Sequence, residues 1–308
     1  MTYLEFFGLK EDPFKITPDY RYFYPSKSHR IADNLLRYVV KHGEGFCVIV
    51  GEPGTGKTTV IRKFISSLSD DIIYALILTP KLQPEEFLKV VLDDLGVHIE
   101  ADSKHDLLKK FREFLEKKIS EGKKVLIIVD EAQNLPEETL EELRLLSNLE
   151  TANEKLVQII LLGQPELDQK LKLPQLRQLN QRITNKIRLM PLTEDETFRY
   201  IYHRLAVAGK GNIRFKDSAI KKIYKYSKGI PRVINILASR ALMSAFMTGS
   251  FVIKPENVEA AKETLNPDIV NQNSIDYFTK GKIVIYSLII ANLVGIMYLL
   301  YRLMFTEG

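Results

Sequence analysis

Four short runs of apolar residues punctuate the chain: FCVIV at Phe46–Val50, IIYALILT at Ile72–Thr79, KVLIIVD at Lys124–Asp130 and VQIILLG at Val157–Gly163. Runs of this length that do not alternate with polar residues have the form of strands covered on both faces. NKIRLM at Asn185–Met190 is a weaker fifth. Between the runs, apolar positions recur at helical spacing over Ser28–Lys41, Lys57–Leu68, Pro84–Leu95, Lys104–Ile119 and Glu137–Leu149. This β-α alternation predicts an α/β domain whose five-stranded parallel sheet is joined by crossover helices. From Thr193 to about Leu265 the apolar runs stop. Three or four helices separated by GKGNIRFKD, SKGIPR and FVIKPEN predict an all-helical second unit.

The boundaries follow from these patterns. Residues 1–44 form an aromatic leader and first helix, 45–192 the α/β domain and 193–265 the helical unit. Residues 266–282 are polar, without periodicity, and read as a linker. Residues 283–303 then carry only one charge, Arg302 near their end, and residues 304–308 are a short tail. A helix of about 19 residues rising 1.5 Å per residue spans about 28 Å, close to the hydrocarbon thickness, so a single transmembrane helix is expected there. Ser287 and Asn292 are its polar members, and Lys280, Lys282 and Arg302 flank it. No peptidoglycan-binding region is expected beyond it.

Composition adds little except in one place. The chain has 308 residues, 45% hydrophobic and 27% charged, a balance that supports a packed core rather than disorder. Its one cysteine, Cys47, lies inside an apolar run, which excludes a disulfide framework and reads as a buried, inert thiol. The opening MTYLEFFGLKEDPF lacks the basic-then-apolar pattern of a secretory signal. Between Arg199 and Arg240 eleven Lys or Arg face one acid, Asp217. Nucleic acid, anionic lipid or simple solvation would each account for such a basic segment.

The chemistry is concentrated after the first strand. GEPGTGKTT (Gly51, Glu52, Pro53, Gly54, Thr55, Gly56, Lys57, Thr58, Thr59) satisfies G-x-x-x-x-G-K-[ST] between a strand and a helix. Its glycines let backbone N–H groups face phosphate oxygens together with the following helix N-terminus. Lys57 is placed to reach the β- and γ-phosphates of ATP, and Thr58 to offer a hydroxyl to Mg²⁺. The third apolar run ends in Asp130 and Glu131. Asp130 is expected to help hold Mg²⁺, and Glu131 to orient or deprotonate the attacking water.

These motifs, with DEAQNL at Asp130–Leu135, LRLLSNLET at Leu143–Thr151, QIILLGQPEL at Gln158–Leu167, LRQLNQRI at Leu176–Ile183, YSKGIPRVINILASRAL at Tyr226–Leu242 and the opening FFGLKEDPF, resemble the AAA+ P-loop NTPases of the ExeA type, general secretion pathway protein A. The resemblance covers roughly Tyr3 to Glu263. It implies an ATP- and Mg²⁺-dependent ATPase with Gln164 as the sensor 1 residue and Arg182 as an arginine finger acting on a neighbouring subunit, with Arg177 the competing candidate. It also implies that Arg232 of GIPR is the sensor 2 arginine of a helical lid. Pro13, Phe14 and Tyr24 would line the adenine side or simply pack in the core.

Two classes of function fit, the first with a variant, a nucleotide-gated scaffold, that differs only in hydrolysing slowly. The first is a homo-oligomeric ATPase on the inner face of the cytoplasmic membrane, serving a protein partner in assembly of a secretion, pilus or envelope-polymer apparatus. The second is an ATP-dependent DNA-binding protein related to transposition-targeting or origin-recognition ATPases, supported by the basic lid and opposed by the anchor.

Overall fold

The computed structural model describes residues 2–17, 19–78, 81–98, 103–150, 155–209 and 211–265. The α/β domain runs α1 (Tyr3–Phe7), α2 (Lys27–His42), β1 (Phe46–Gly51), α3 (Lys57–Ile65), β2 (Ile72–Ile77), α4 (Pro84–Asp94), α5 (Lys104–Ser120), β3 (Lys124–Val129), α6 (Glu137–Leu146), β4 (Gln158–Gly163), α7 (Pro165–Lys170), α8 (Arg177–Arg182) and β5 (Asn185–Leu189). All five strands pair in parallel in the order β2-β3-β4-β1-β5. β1 therefore sits between β4 and β5, and the loops after β1, β3 and β4 open at the same carboxyl end of the sheet.

Successive side chains on a strand point to opposite faces, and the apolar runs supply both. Val48, Ile127, Val129, Ile159 and Leu161 are buried with Phe87, Val91, Phe111 and Leu143 of α4, α5 and α6. Cys47, Ile49, Leu126, Ile128 and Ile160 are buried on the other face with Leu36 and Val39 of α2 and Ile61 and Phe64 of α3. Burial pushes the Cys47 thiol up to about 12, so it carries no thiolate at neutral pH. β2 and β5 are the two edge strands: β5 exposes Lys186 and Arg188, which weakens its apolar signal, while β2, expected to be covered on both faces, is corrected to a half-covered strand with Tyr74 37% exposed.

The lid follows as α9 (Glu194–Val207), β6 (Arg214–Phe215), α10 (Asp217–Ser227), α11 (Pro231–Met247), β7 (Val252–Ile253) and α12 (Pro255–Glu263). Thr193 caps α9 with a capping box to Glu196, which satisfies N–H groups that would otherwise be left open at the helix start. The expectation of an all-helical lid is corrected here. Two interhelix loops pair as a parallel β6–β7 ribbon, in which Phe215 and Ile253 enter the lid core. Each strand is two residues long, too short to leave an alternation in the sequence.

The aromatic leader packs into the lid. Phe7, Leu9, Phe14 and Tyr22 are buried in the lid core, and the Phe6 ring stacks on Phe251 at 4.5 Å. The amide of Asn212 donates to the Phe7 carbonyl and that of Lys10 to Ala208. The leader's aromatics are thus covered by lid helices, and the chain ties its two halves together before the first strand is reached.

The expected membrane span at 283–303, its linker at 266–282 and the tail at 304–308 lie outside the described residues. Among the described residues no helix is long and apolar enough to cross a membrane.

Candidate active site

The phosphate loop folds as its composition dictates. Gly54 and Gly56 take φ of +79° and +99°, in the left-handed region that favours glycine. A Cβ on Gly54 would lie 2.7 Å from the Arg232 Cβ, and one on Gly56 would lie 2.9 Å from the His29 Nε2. Both glycines are therefore required by close neighbours as well as by backbone angle. The Thr55 hydroxyl donates to the Glu52 carbonyl at 2.8 Å and closes the turn. Arg188 pairs with Glu52 at its rim at 3.3 Å.

Lys57 begins α3, and its ammonium donates to the carbonyls of Gly51 at 2.8 Å and Glu52 at 3.2 Å. Burial lowers its pKa, and the carboxylates of Glu131 and Asp130 oppose that shift. The Thr58 hydroxyl donates to Asp130 Oδ2 at 2.6 Å, while the Glu131 amide donates to Asp130 Oδ1 at 2.9 Å. The two residues expected to hold Mg²⁺ are thus side by side.

Glu131 has φ 53°, ψ 37°, an uncommon conformation for a side-chain-bearing residue and one that collects at functional sites. Its Oε2 accepts from the Gln133 side-chain amide at 2.6 Å and from the Gln164 side-chain amide at 3.0 Å. Gln133 Oε1 in turn accepts the Gln164 backbone N–H at 3.0 Å. The strand ends of β3 and β4 are therefore joined through one carboxylate and two amides. Gln164 follows β4 directly and touches the Glu131 carboxylate. Gln133 was missed, although its place two residues after Glu131 on a turn was available in DEAQ.

A cavity of about 560 Å³ opens beside this group. Gly54 to Thr59 and Glu131 form its floor, Pro231, Arg232 and Asn235 of the lid one wall, and Tyr22, Phe23 and Tyr24 of the leader another. The Arg232 amide donates to the Gly54 carbonyl at 3.3 Å, so the lid bears directly on the phosphate loop. Tyr24 lines the cavity, whereas Phe14 is 1% exposed and packs edge-to-face on Phe215. The Pro13 carbonyl accepts from the Arg204 guanidinium. The leader thus divides between cavity wall and lid core.

The lid's basic segment is likewise not one solvated face. Arg204 is buried, with Nη1 on the Tyr200 hydroxyl at 3.0 Å and its guanidinium over the Tyr22 ring. Arg232 lines the cavity, and Lys222 pairs with Glu259 at 2.5 Å.

His29 was also missed. It is 4% exposed on α2, and its Nε2 lies 3.0 Å from the Thr55 carbonyl while Nδ1 lies 2.5 Å from the Ser26 hydroxyl. A carbonyl only accepts, so Nε2 carries the proton and Ser26 donates to Nδ1. Burial lowers the His29 pKa, which favours the neutral ring. No motif marks this residue, because its contact depends on α2 crossing the loop from another part of the sequence.

Arg177 and Arg182 are both exposed on α8, outside the cavity lining, and neither has a hydrogen bond or ion pair among the described residues. The structure does not bring either to the site of its own chain.

A parallel sheet in the order β2-β3-β4-β1-β5, a phosphate loop after β1, paired acids after β3 and a lid seated on the loop define an ATPase of the P-loop class with the AAA+ fold. The comparisons agree. Residues 40–171 match the protein family described as "AAA domain". Over 260 residues, 84% of the chain, it is 42% identical to General secretion pathway protein A of Aeromonas hydrophila and spans 48% of that protein's length. It is 34% identical over 104 residues, 33% of the chain and 31% of the relative, to the ATP-dependent target DNA activator B of Escherichia phage Mu. Among solved structures it is similar to Cdc6p from Pyrobaculum aerophilum, with a TM-score of 0.66 at 19% identity over 83% of this chain and 72% of that one, a likeness of fold.

Proposed function

We propose that this chain hydrolyses ATP, as a homo-oligomer on the inner face of the cytoplasmic membrane, to drive or regulate assembly of a secretion, pilus or envelope-polymer export apparatus. The observation that supports the reading is the 42% identity to General secretion pathway protein A over 260 residues, 84% of the chain. The charge-free segment within residues 283–303 supports the membrane location.

The residues fit the nucleotide and its ion. The glycine loop leaves room that any Cβ would fill. Thr58 and Asp130 would hold Mg²⁺, which when bound offsets phosphate charge. Lys57 would exchange its two loop carbonyls for phosphate oxygens. Glu131, held by Gln133 and Gln164, accepts the proton of the attacking water or orients it, and Gln164 contacts the same water or the γ-phosphate. Arg232 closes over the phosphates from the lid. Arg182, or Arg177, would stabilise transition-state charge in the neighbouring subunit, so turnover depends on assembly.

The test is complementation. A strain lacking the chain should regain its apparatus with the wild type but not with Lys57→Ala, and fractionation should find the wild type with membranes. Recovery by Lys57→Ala, or a wild-type protein free of membranes, rejects this reading. The match to the phage target DNA activator favours a second reading, DNA binding, which predicts hydrolysis stimulated by duplex DNA and lost with added salt.

A further inference from the structure

The opposite end of the sheet holds a second cavity, of about 250 Å³, among the amino-terminal ends of the central strands. Its lining includes Lys41, His42, Lys123, Lys124, Lys155 and Gln158. Strands of six residues rising about 3.3 Å each put it about 20 Å from the phosphate loop, so it is no part of the ATP site.

The charges here are poorly offset. Lys124 is occupied, donating to the Val40 carbonyl at 2.8 Å and the Lys41 carbonyl at 3.2 Å at the end of α2, and its charge also reaches Asp71. Lys123 reaches Glu121 only at 3.9 Å, because that carboxylate is taken by Lys118 at 2.8 Å. Lys41 and Lys155 have no ion pair among the described residues. His42 is fixed by Nδ1 on the Tyr38 carbonyl at 2.9 Å, which leaves Nε2 free of it.

Gln158 gives an independent sign. It is 4% exposed, and its side-chain oxygen has no hydrogen-bond partner. A buried amide left unpaired costs about 1–3 kcal/mol, so such groups normally have a partner. Its nitrogen is the end beside the cavity: a Cβ on Gly43, which also lines it, would lie 3.8 Å from the Gln158 Nε2, so the amide offers N–H donors there.

We propose that this cavity is a second anion site, taking a phosphate-bearing ligand between Lys41, Lys123 and Lys155 with the Gln158 amide donating to it. Three lysines lining one small space suit a group with more than one negative charge, and lysine binds phosphate as a point charge. The lining offers no Phe, Tyr or Trp for base stacking, which argues against nucleic acid. β3 starts at Lys124 and leads into the Asp130–Glu131 pair, and β4 starts at Gln158 and leads into Gln164, so an occupant would rest on the two strands that position those residues.

Calorimetry on the full chain in non-ionic detergent tests this, with ATPγS saturating the first site. One arm titrates inorganic diphosphate and the other soluble dihexanoyl phosphatidic acid, separating a free phosphate from a lipid headgroup. One-site binding in either arm is expected, weakened about 10-fold or more in Lys41→Ala and independently in Lys155→Gln. ATPγS affinity should be unchanged in both variants and reports that each is folded. No saturable binding in either arm, or binding equal in wild type and both folded variants, overturns the proposal.

Discussion

Gln133→Ala isolates the contact between the two strand ends. The substitution removes the 2.6 Å hydrogen bond to the Glu131 carboxylate and leaves the Gln164 backbone N–H without its 3.0 Å acceptor. A hydrogen bond to a charged group is worth about 1.5–3 kcal/mol. Should that energy serve only to hold Glu131 in its catalytic orientation, its loss slows hydrolysis by about 10- to 150-fold. Lys57, Thr58 and the loop glycines are untouched, so the affinity for ATP should stay within about twofold. Steady-state phosphate release gives kcat, and titration with a fluorescent ATP analogue gives Kd. Gln133→Glu should be worse than Ala, because it sets a second carboxylate beside Glu131. A kcat within twofold of wild type for Gln133→Ala, with Kd unchanged, refutes the positioning of Glu131 by this amide.

Other outcomes follow from single contacts. Gly54→Ala would force an L-residue into φ +79° and drive Cβ to 2.7 Å from Arg232, so about 1–2 kcal/mol of stability and at least tenfold in ATP affinity should be lost in melting and titration experiments. Arg182→Ala removes an exposed side chain and should leave stability within about 0.5 kcal/mol, yet abolish any rise of specific activity with protein concentration. An unfolded histidine titrates near about 6.5, and burial holds folded His29 below that, as it does His203. The folded state therefore binds fewer protons, and this contribution is complete above about 6.5 and declines as pH falls below it. Urea midpoints measured from pH 8 to pH 5 should drop less for His29→Asn than for wild type.

What the sequence disclosed depended on whether the cause was local. The buried strands β1, β3 and β4 were legible because covering both faces demands unbroken apolar runs, and each ends within one residue of its run. The phosphate loop and the Asp130–Glu131 pair were legible because strand, turn and acid are contiguous. The short helices α7 and α8, of six residues each, gave no periodicity to read. The β6–β7 ribbon joins residues 214–215 to 252–253, and the leader's burial in the lid joins residues 7–22 to a core built from residues 192–265; neither pairing is local. His29 was hidden for the same reason, since Thr55 lies 26 residues away. Gln133 is different, because its neighbour Glu131 had been singled out. The positive φ at Glu131 turns both side chains toward Gln164, and no residue-type rule predicts that conformation for a glutamate.

The proposed ATPase reaction depends on Glu131 activating water in the cavity that Arg232 lines. Single-turnover hydrolysis of radiolabelled ATP by Glu131→Gln tests it most directly. The account predicts that the variant binds ATP as tightly as wild type and retains it unhydrolysed while the wild type converts it to ADP. Conversion of bound ATP by Glu131→Gln at the wild-type rate would contradict it.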